Sequence, residues 1–306
     1  MAQKDVKDRI GSVKNIQKIT RAMEMVAAAR LRRAEQRITA LRPYAGAIRR
    51  MTRQAADAAG TELSSLPVLS RHEREATVAI LLVTGDRGLA GAFNSQIVRA
   101  GIRLESELER KQAAWYASGR RGVSSIEFRG LELAGGYTGF TDRPTYADAR
   151  RISDDLIAAY VDGKVDRVEM FYNGYISPLT QEVRHETLLP LQEADVLGSE
   201  DDEDGSERDE GGEGDGPDHS RALWIYEPDP EEILKRLAPD YVEISIYRAL
   251  LESTASEHGA RMTAMRSASD NAADLIDDLT LEANRQRQAD ITQEIMEVVA
   301  GAEGLR

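Results

Sequence analysis

The segment AAARLRRAEQRITALRPYAGAI, residues 27–48, decides the fold. Its apolar residues Ala27, Leu31, Ala34, Ile38, Leu41, Ala45 and Ile48 fall alternately four and three apart. That seven-residue repeat is the seam of a coiled coil, because a period of 3.5 keeps one stripe facing a partner helix. Upstream, Val6, Ile10, Val13, Ile16, Ile19 and Met23 continue the stripe with a small shift of phase. Pro43 interrupts the pattern, which predicts a kink or a short break there. A helix over 3–57 is about 80 Å long at ~1.5 Å per residue.

The other end of the chain carries the same message. Ile244, Tyr247, Leu251, Thr254, His258, Met262, Met265, Ala268, Ala272, Leu275 and Leu279 are three or four apart, and Ile291, Ile295, Val298 and Ala302 resume the stripe. No proline lies between Asp240 and Arg306, so a helix over 240–300 is expected, about 90 Å long. Helices of this length exceed the ~11–12 residues of the average globular helix many times over and point to a coiled coil. Residues 1–58 carry 14 basic and 5 acidic groups, whereas 240–306 carry 6 basic and 13 acidic. Opposite net charges favour pairing of the two ends as an intramolecular antiparallel coiled coil. Ala27, Ala34, Ala45, Ala268 and Ala272 make the seam narrow but bury little area, at ~25 cal/mol per Å², so stabilisation by a surrounding partner is expected.

Between the ends lies a small α/β domain. ATVAILLVT, 76–84, is a continuous apolar run of the kind that forms a strand buried on both faces. A helix follows over 94–111, then strands at Ala113–Ala117 and Ser125–Phe128, a helix over Tyr146–Val161, strands at Val165–Tyr172 and Gln181–Leu188, a turn near Ile176–Pro178 and a last strand at Ala222–Tyr226. The alternation predicts a mainly parallel sheet. The fold class is therefore α/β: a long antiparallel two-helix coiled coil from the N- and C-terminal segments plus a central Rossmann-like α/β domain. The boundaries are 1–58 and 230–306 for the helices and 76–228 for the central domain.

The length of 306 residues and 41% apolar content suffice for a sizeable core, and the absence of cysteine excludes disulfides, thiolate metal sites and thiol chemistry. No apolar run approaches 18 residues, and MAQKDVKDRI lacks the apolar core of a signal peptide, which predicts a cytoplasmic protein or one bound to something facing the cytoplasm. The net charge of −13 disfavours nucleic acid. Residues 198–220 hold 11 acids and one arginine and are expected to form a disordered loop. Glu200, Asp202, Asp204 and Gly205 mimic a calcium loop only in part, because its twelfth position is Gly211. Gly85, Gly88 and Gly91 stand between strand and helix, where phosphate loops occur, but GxxGxxG is not GxGxxG. The other reading of that stretch is a tight turn with Asn94 or Ser95 capping the next helix. His72, His185, His219 and His258 are scattered without metal-ligand spacing, and no GxSxG or Walker motif is present, so no catalytic constellation, cofactor or metal is predicted. His258 is expected to be packed in the helix seam or partly exposed rather than to bind a ligand.

Three segments carry a family resemblance: IGSVKNIQKITRAMEMVAAARLRRAE (10–35), TGDRGLAGAFN (84–94) and RMTAMRSASDNAADLIDDLTLEANRQRQADITQEIMEVVAGAEGL (261–305). Together they resemble the gamma subunits of F-type ATP synthases, in order and spacing, along nearly the whole chain apart from the acidic loop. The resemblance implies a central rotor stalk that couples ion-driven rotation to ATP synthesis or hydrolysis without catalysing either. It implies as partners a ring of alpha and beta subunits, the epsilon subunit and a c-ring, with peripheral association at the cytoplasmic face of the cell membrane. It places contacts to the ring at Met23, Arg30, Arg33, Arg261, Arg287, Gln288, Thr292, Glu294, Ile295 and Val298. Two departures stand out: Ala90 occupies a position that is commonly cysteine in the family, and the acidic loop lacks the dithiol that photosynthetic relatives insert there. A freestanding coiled-coil scaffold would show the same helices without these motifs.

Overall fold

A computed structural model describes residues 3–59, 67–72, 74–108, 111–191 and 229–303. The acidic loop 198–220 and the strand expected at Ala222–Tyr226 lie outside the described residues. Helix α1 spans Gln3–Ala59. Then come β1 (Thr77–Val83), α2 (Phe93–Glu107), β2 (Gln112–Ser118), α3 (Arg120–Phe128), β3 (Leu133–Tyr137), α4 (Tyr146–Val161), β4 (Arg167–Tyr175) and β5 (Gln181–Leu189). Helix α5, Pro230–Glu303, closes the order.

The five strands lie in the order β3-β2-β1-β4-β5. Pairings β1–β2, β1–β4 and β2–β3 are parallel and β4–β5 is antiparallel. Central β1 explains its apolar run. Ala79, Leu81 and Val83 face α4 and the first half of α5, through Ile152, Leu156, Leu234, Val242 and Ile246. Val78, Ile80 and Leu82 face Phe93, Ile97 and Ile126 of α2 and α3. A strand covered on both faces has no polar side to show. Helix α4 begins where Thr145 and Asp148 form a reciprocal capping box, which satisfies donors that a bare helix start leaves open.

Two segments of the central domain differ from the expected elements. Ser125–Phe128 is the last turn of α3, not a strand: Gly122 and Ile126, one helical turn apart, face inward and Phe128 is 91% exposed. The sequence shows little sign of the edge strand β3, because LAGGY has little strand propensity. Its Gly135 is required by packing, since a Cβ there would stand 2.6 Å from the Tyr116 ring.

The rod also departs from its sequence pattern. Helix α1 continues unbroken through Pro43, and α5 starts ten residues before Asp240 and passes through Pro239. Pro43 is exposed, so water can satisfy the carbonyl whose donor it removes. Upstream of Ala27 the buried or half-buried residues Glu24, Thr20, Gln17, Val13, Ile10 and Val6 form a strict heptad with no change of phase, and Met23 is half-buried beside Glu24. Ile16 and Ile19, assigned to the seam on hydrophobicity, are 53% and 59% exposed. On α5 the seam runs through Met265, Ser269, Ala272, Ile276 and Leu279, so Ser269 and Ile276 replace Ala268 and Leu275. The Thr20 and Ser269 hydroxyls meet at 2.6 Å and mark the antiparallel register. The Arg266–Glu24 ion pair, at 2.8 Å, places the cation on the acidic helix and the anion on the basic one, so net charge does not describe how the helices meet. Ile19→Gln is expected to change unfolding free energy by about 0.5 kcal/mol or less. Leu31→Ala, in the seam at 4% exposure, is expected to cost about 2–5 kcal/mol in urea titrations of the full chain.

Candidate functional site: the joint between rod and α/β domain

In open parallel sheets a ligand sits beyond the carboxyl ends of the strands, where the strand order reverses. Here that place lies between β1 and β4, and α5 fills it. Residues 251–259 of α5 are buried on every side, although ESTASEHG is polar. Their hydroxyls answer carbonyls at two strand ends and in the turn after β3: Ser253 Oγ donates to Val83 O at 3.3 Å, Ser256 Oγ to Asn173 O at 3.1 Å and Thr254 Oγ1 to Thr141 O at 2.8 Å. Small polar side chains let the helix approach the sheet edge closely while each buried polar group finds a partner.

The loop 84–94 packs against the same stretch. Gly85 leaves space for the Glu257 carboxylate, which stands 2.6–2.8 Å from where a Cβ would be. Gly88 O accepts from Arg261 Nε and a second guanidinium nitrogen at 3.4 and 3.2 Å. The loop does not form a phosphate cradle. Gly85 N donates to Asn94 Oδ1 at 2.9 Å, Asp86 N donates to Thr141 Oγ1 at 2.8 Å, and a carboxylate occupies the place where phosphate would lie. Neither Asn94 nor Ser95 caps the helix. The residue before α2 is Ala92, with no side-chain cap, while Asn94 folds back on the loop and Ser95 Oγ donates to Ala92 O.

Asp86 knots three segments. Its Oδ1 accepts from Arg120 N at 2.9 Å, and its Oδ2 from Gly139 N at 2.9 Å, Thr141 N at 3.1 Å and Thr141 Oγ1 at 3.0 Å. Burial pushes its carboxyl up, but these donors outweigh burial and hold it below the usual carboxylate range. A chain of charges then runs from the loop to the rod. Arg261 donates to Glu257, His258 Nδ1 lies 3.3 Å from Arg261, His258 Nε2 is 3.6 Å from Asp142, and both Asp142 oxygens accept from Arg30 of α1 at 2.5 Å. Loop, α5, the 142 turn and α1 are thus tied at one level.

His258 is buried and packs in the seam, as the spacing predicts, with 2% of its surface exposed. Burial first, and the neighbouring Arg261 cation second, push its pKa down to about 4. Its depressed value means that the unfolded chain binds a proton that the native chain refuses. The resulting destabilisation is absent above pH ~6.5 and grows as pH falls toward 4, to about 3 kcal/mol. Asp86 acts lower, its contribution being lost only below its ordinary carboxylate range. His258→Gln is therefore expected to remove the destabilisation that grows between pH 6.5 and 4 and leave the fall below pH 4 in place, as read from urea midpoints across pH.

The ten residues assigned to partner contacts fall into separate groups. Arg30 and Arg261 belong to the joint. The Arg261 side chain is 9% exposed and engaged within the chain, so it presents no open charge to a partner. Arg33 is exposed and Met23 half-buried on α1. Arg287, Gln288, Thr292, Glu294, Ile295 and Val298 are all exposed on the end of α5. The register explains why. Seventeen residues back from Thr20, α1 begins at Gln3, level with Gln286, so α5 runs on alone from Arg287. That lone end is about 25 Å long at ~1.5 Å per residue and carries exposed Ile291, Ile295, Met296, Val298 and Val299. The sequence did not reveal Asp142 and Glu257, because Arg30 lies more than a hundred residues from Asp142 and Gly85, against which Glu257 packs, about 170 residues from it; the polar ESTASEHG run inside a buried stretch was the available signal.

A rod of two helices, one overrunning the other, rooted in an α/β domain whose ligand crevice is plugged by the rod itself, defines a shaft-type subunit. The comparisons with known proteins agree. The family model described as ATP synthase matches residues 2–305. An ATP synthase gamma chain of Rubrobacter xylanophilus is 43% identical over 303 residues, covering 99% of this chain and 98% of that one. One of Streptomyces coelicolor is 42% identical over 306 residues, covering 98% and 94%. The chain belongs to the ATP synthase gamma-chain family. Among solved structures, a chain of the central stalk and c-ring of Tetrahymena thermophila mitochondrial ATP synthase matches with a TM-score of 0.59 at 25% identity, covering 82% of this chain and 99% of that one. A chain of the Euglena gracilis mitochondrial ATP synthase shares the fold with a TM-score of 0.66 at 15% identity, over 99% and 94%.

Proposed function

We infer that this chain is the central rotor stalk of an F-type ATP synthase and is itself non-catalytic. Family membership supports the assembly. The observation that carries the mechanical role is the rod, locked to the α/β domain by the Glu257–Arg261–His258–Asp142–Arg30 chain, with its free end beyond Gln286. One asymmetric shaft inside a ring of alternating alpha and beta subunits touches each catalytic site differently. Rotation then changes which conformation each site favours, because differential contact is what shifts populations. The α/β domain meets the epsilon subunit and the c-ring, and ion flow through the membrane ring turns the shaft. The chain joins the cytoplasmic face of the cell membrane through the complex. No helix among the described residues is long and apolar enough to cross a membrane. The exposed apolar end of α5 fits a sleeve in which contacts must slip, and Arg287, Gln288, Thr292 and Glu294 supply polar contacts that break and reform. No nucleic acid is involved.

Native mass spectrometry of the tagged chain, purified from membranes in mild detergent, tests this reading. One copy with three each of two larger nucleotide-binding subunits is the expected result. A free monomer or a homodimer, with those subunits in the extract but unbound, returns the scaffold reading to first place. Arg287→Ala with Gln288→Ala is expected to leave assembly intact, since both residues are exposed, and to lower ATP-driven torque. Normal torque in single-molecule rotation would remove these two residues from the coupling contacts.

A further inference from the structure

Beside the joint is a cavity of about 200 Å³, lined by Arg30, Arg33 and Arg37 of α1, Asp142, Arg143 and His258. Arg30, Arg33 and Arg37 are three and four residues apart and share one helical face. Four guanidinium groups thus meet one carboxylate, and that carboxylate is held on both oxygens by Arg30. Arg33, Arg37 and Arg143 have no anionic partner among the described residues. His258 adds a donor: arginine can only donate, so His258 Nδ1 accepts from Arg261 and the ring proton sits on Nε2. Crowded like charges raise the energy of the empty site and favour an anion within it. At about 30 Å³ per water, the space holds roughly six waters, enough for a tetrahedral oxyanion with part of its hydration shell. Planar guanidinium forks match such oxyanions in geometry as well as charge.

We propose that this cavity binds a phosphate-class oxyanion, either free inorganic phosphate or the terminal phosphoryl group of a nucleotide, through Arg33, Arg37 and Arg143. The recess between α1, α5 and the 142–143 turn suits a compact ion better than a peptide chain. A bound ion would bridge α1 to that turn and strengthen the tie between rod and α/β domain. This binding does not depend on the rotor reading, because the whole site lies within one chain.

Calorimetric titration of the full chain with sodium phosphate, against sodium chloride of equal ionic strength, tests the proposal. Saturable binding is expected, weakened about tenfold or more by Arg33→Gln with Arg37→Gln, corresponding to ~1.4 kcal/mol or more. Arg143→Gln alone is expected to weaken it in the same direction, and Arg285→Gln, exposed on α5 far from the cavity, to leave it unchanged. Circular dichroism confirms that each variant is folded. Metal-free ATP that binds and competes with phosphate identifies the phosphoryl source; phosphate binding without ATP binding identifies the free ion. Absence of saturable heat above the chloride control, or phosphate affinity unchanged in the double variant, overturns the proposal. So does binding of a glutamate-rich peptide with none of phosphate, which assigns the cavity to an acidic protein segment.

Discussion

Arg261→Ala is expected to destabilise the full chain by about 3–5 kcal/mol, the cost of leaving a buried charge without its partner. The Glu257 carboxylate has 5% of its surface exposed, is packed against Gly85 and is ion-paired to Arg261. Burial already pushes its pKa up, and the Arg261 cation is the main force opposing that shift. Without the cation the folded-state value rises further above that of the unfolded chain. A group raised in this way stabilises the fold below its unfolded pKa and loses that contribution as pH rises through the folded value. The deficit of the variant is thus smallest near pH 4 and largest at neutral pH, the opposite trend to that expected of His258. Replacing both partners, Arg261→Met with Glu257→Gln, is expected to recover most of the loss, because a neutral pair leaves no isolated charge. Urea unfolding of the single and double variants at pH 5 and pH 7.5 checks both statements. A loss independent of pH and not recovered in the double variant would mean that the arginine acts through packing of its stem rather than its charge.

Gly119→Ala is expected to cost about 4 kcal/mol or more, enough to prevent stable folding of the α/β domain. Gly119 lies at the turn from β2 to α3 with φ of 92°, and a Cβ there would stand 2.2 Å from Thr84 O and 2.5 Å from Thr84 C. Those are backbone atoms and do not yield. Thr84 N and Oγ1 both donate to Ser118 O, at 2.8 and 2.7 Å, and Thr84 Oγ1 accepts from Gly122 N at 2.8 Å. Relief of the clash would break the start of loop 84–94 and with it the seat of Glu257. Gly130→Ala is the control. Its φ of 74° carries the same kind of strain, but nothing lies within 4 Å of the added Cβ. A cost of about 1–2 kcal/mol is expected there, the strain term alone. The excess cost at Gly119 in urea unfolding reports the clash with the Thr84 backbone together with the stricter local conformation, φ 92° and ψ 136°.

The sequence by itself determined the two long helices, the double-sided strand β1, the span of α4 and the family, because each rests on a repeat or motif contained in one segment. A heptad states that a helix has a partner. It does not state which of two apolar stripes faces it. Residues 6–26 offer both, and following hydrophobicity led to Ile16 and Ile19, which point outward. Extending the strict repeat back from Ala27 would have reached Thr20 and Gln17, the residues that meet Ser269. Only the tertiary structure decided that register, since it is locked by the long seam of Ala27–Ile48 rather than by the polarity of two residues. It alone also decided that SSIEF ends a helix, where burial of Gly122 and Ile126 outweighs local strand propensity. Above all, it decided the fate of Arg261 and Glu257. On the sequence they are two charges one turn apart on a helix, the pattern of a solvated face; in the fold they are buried against Gly85 and Gly88, more than 170 residues away, because α5 enters the crevice at the end of the sheet.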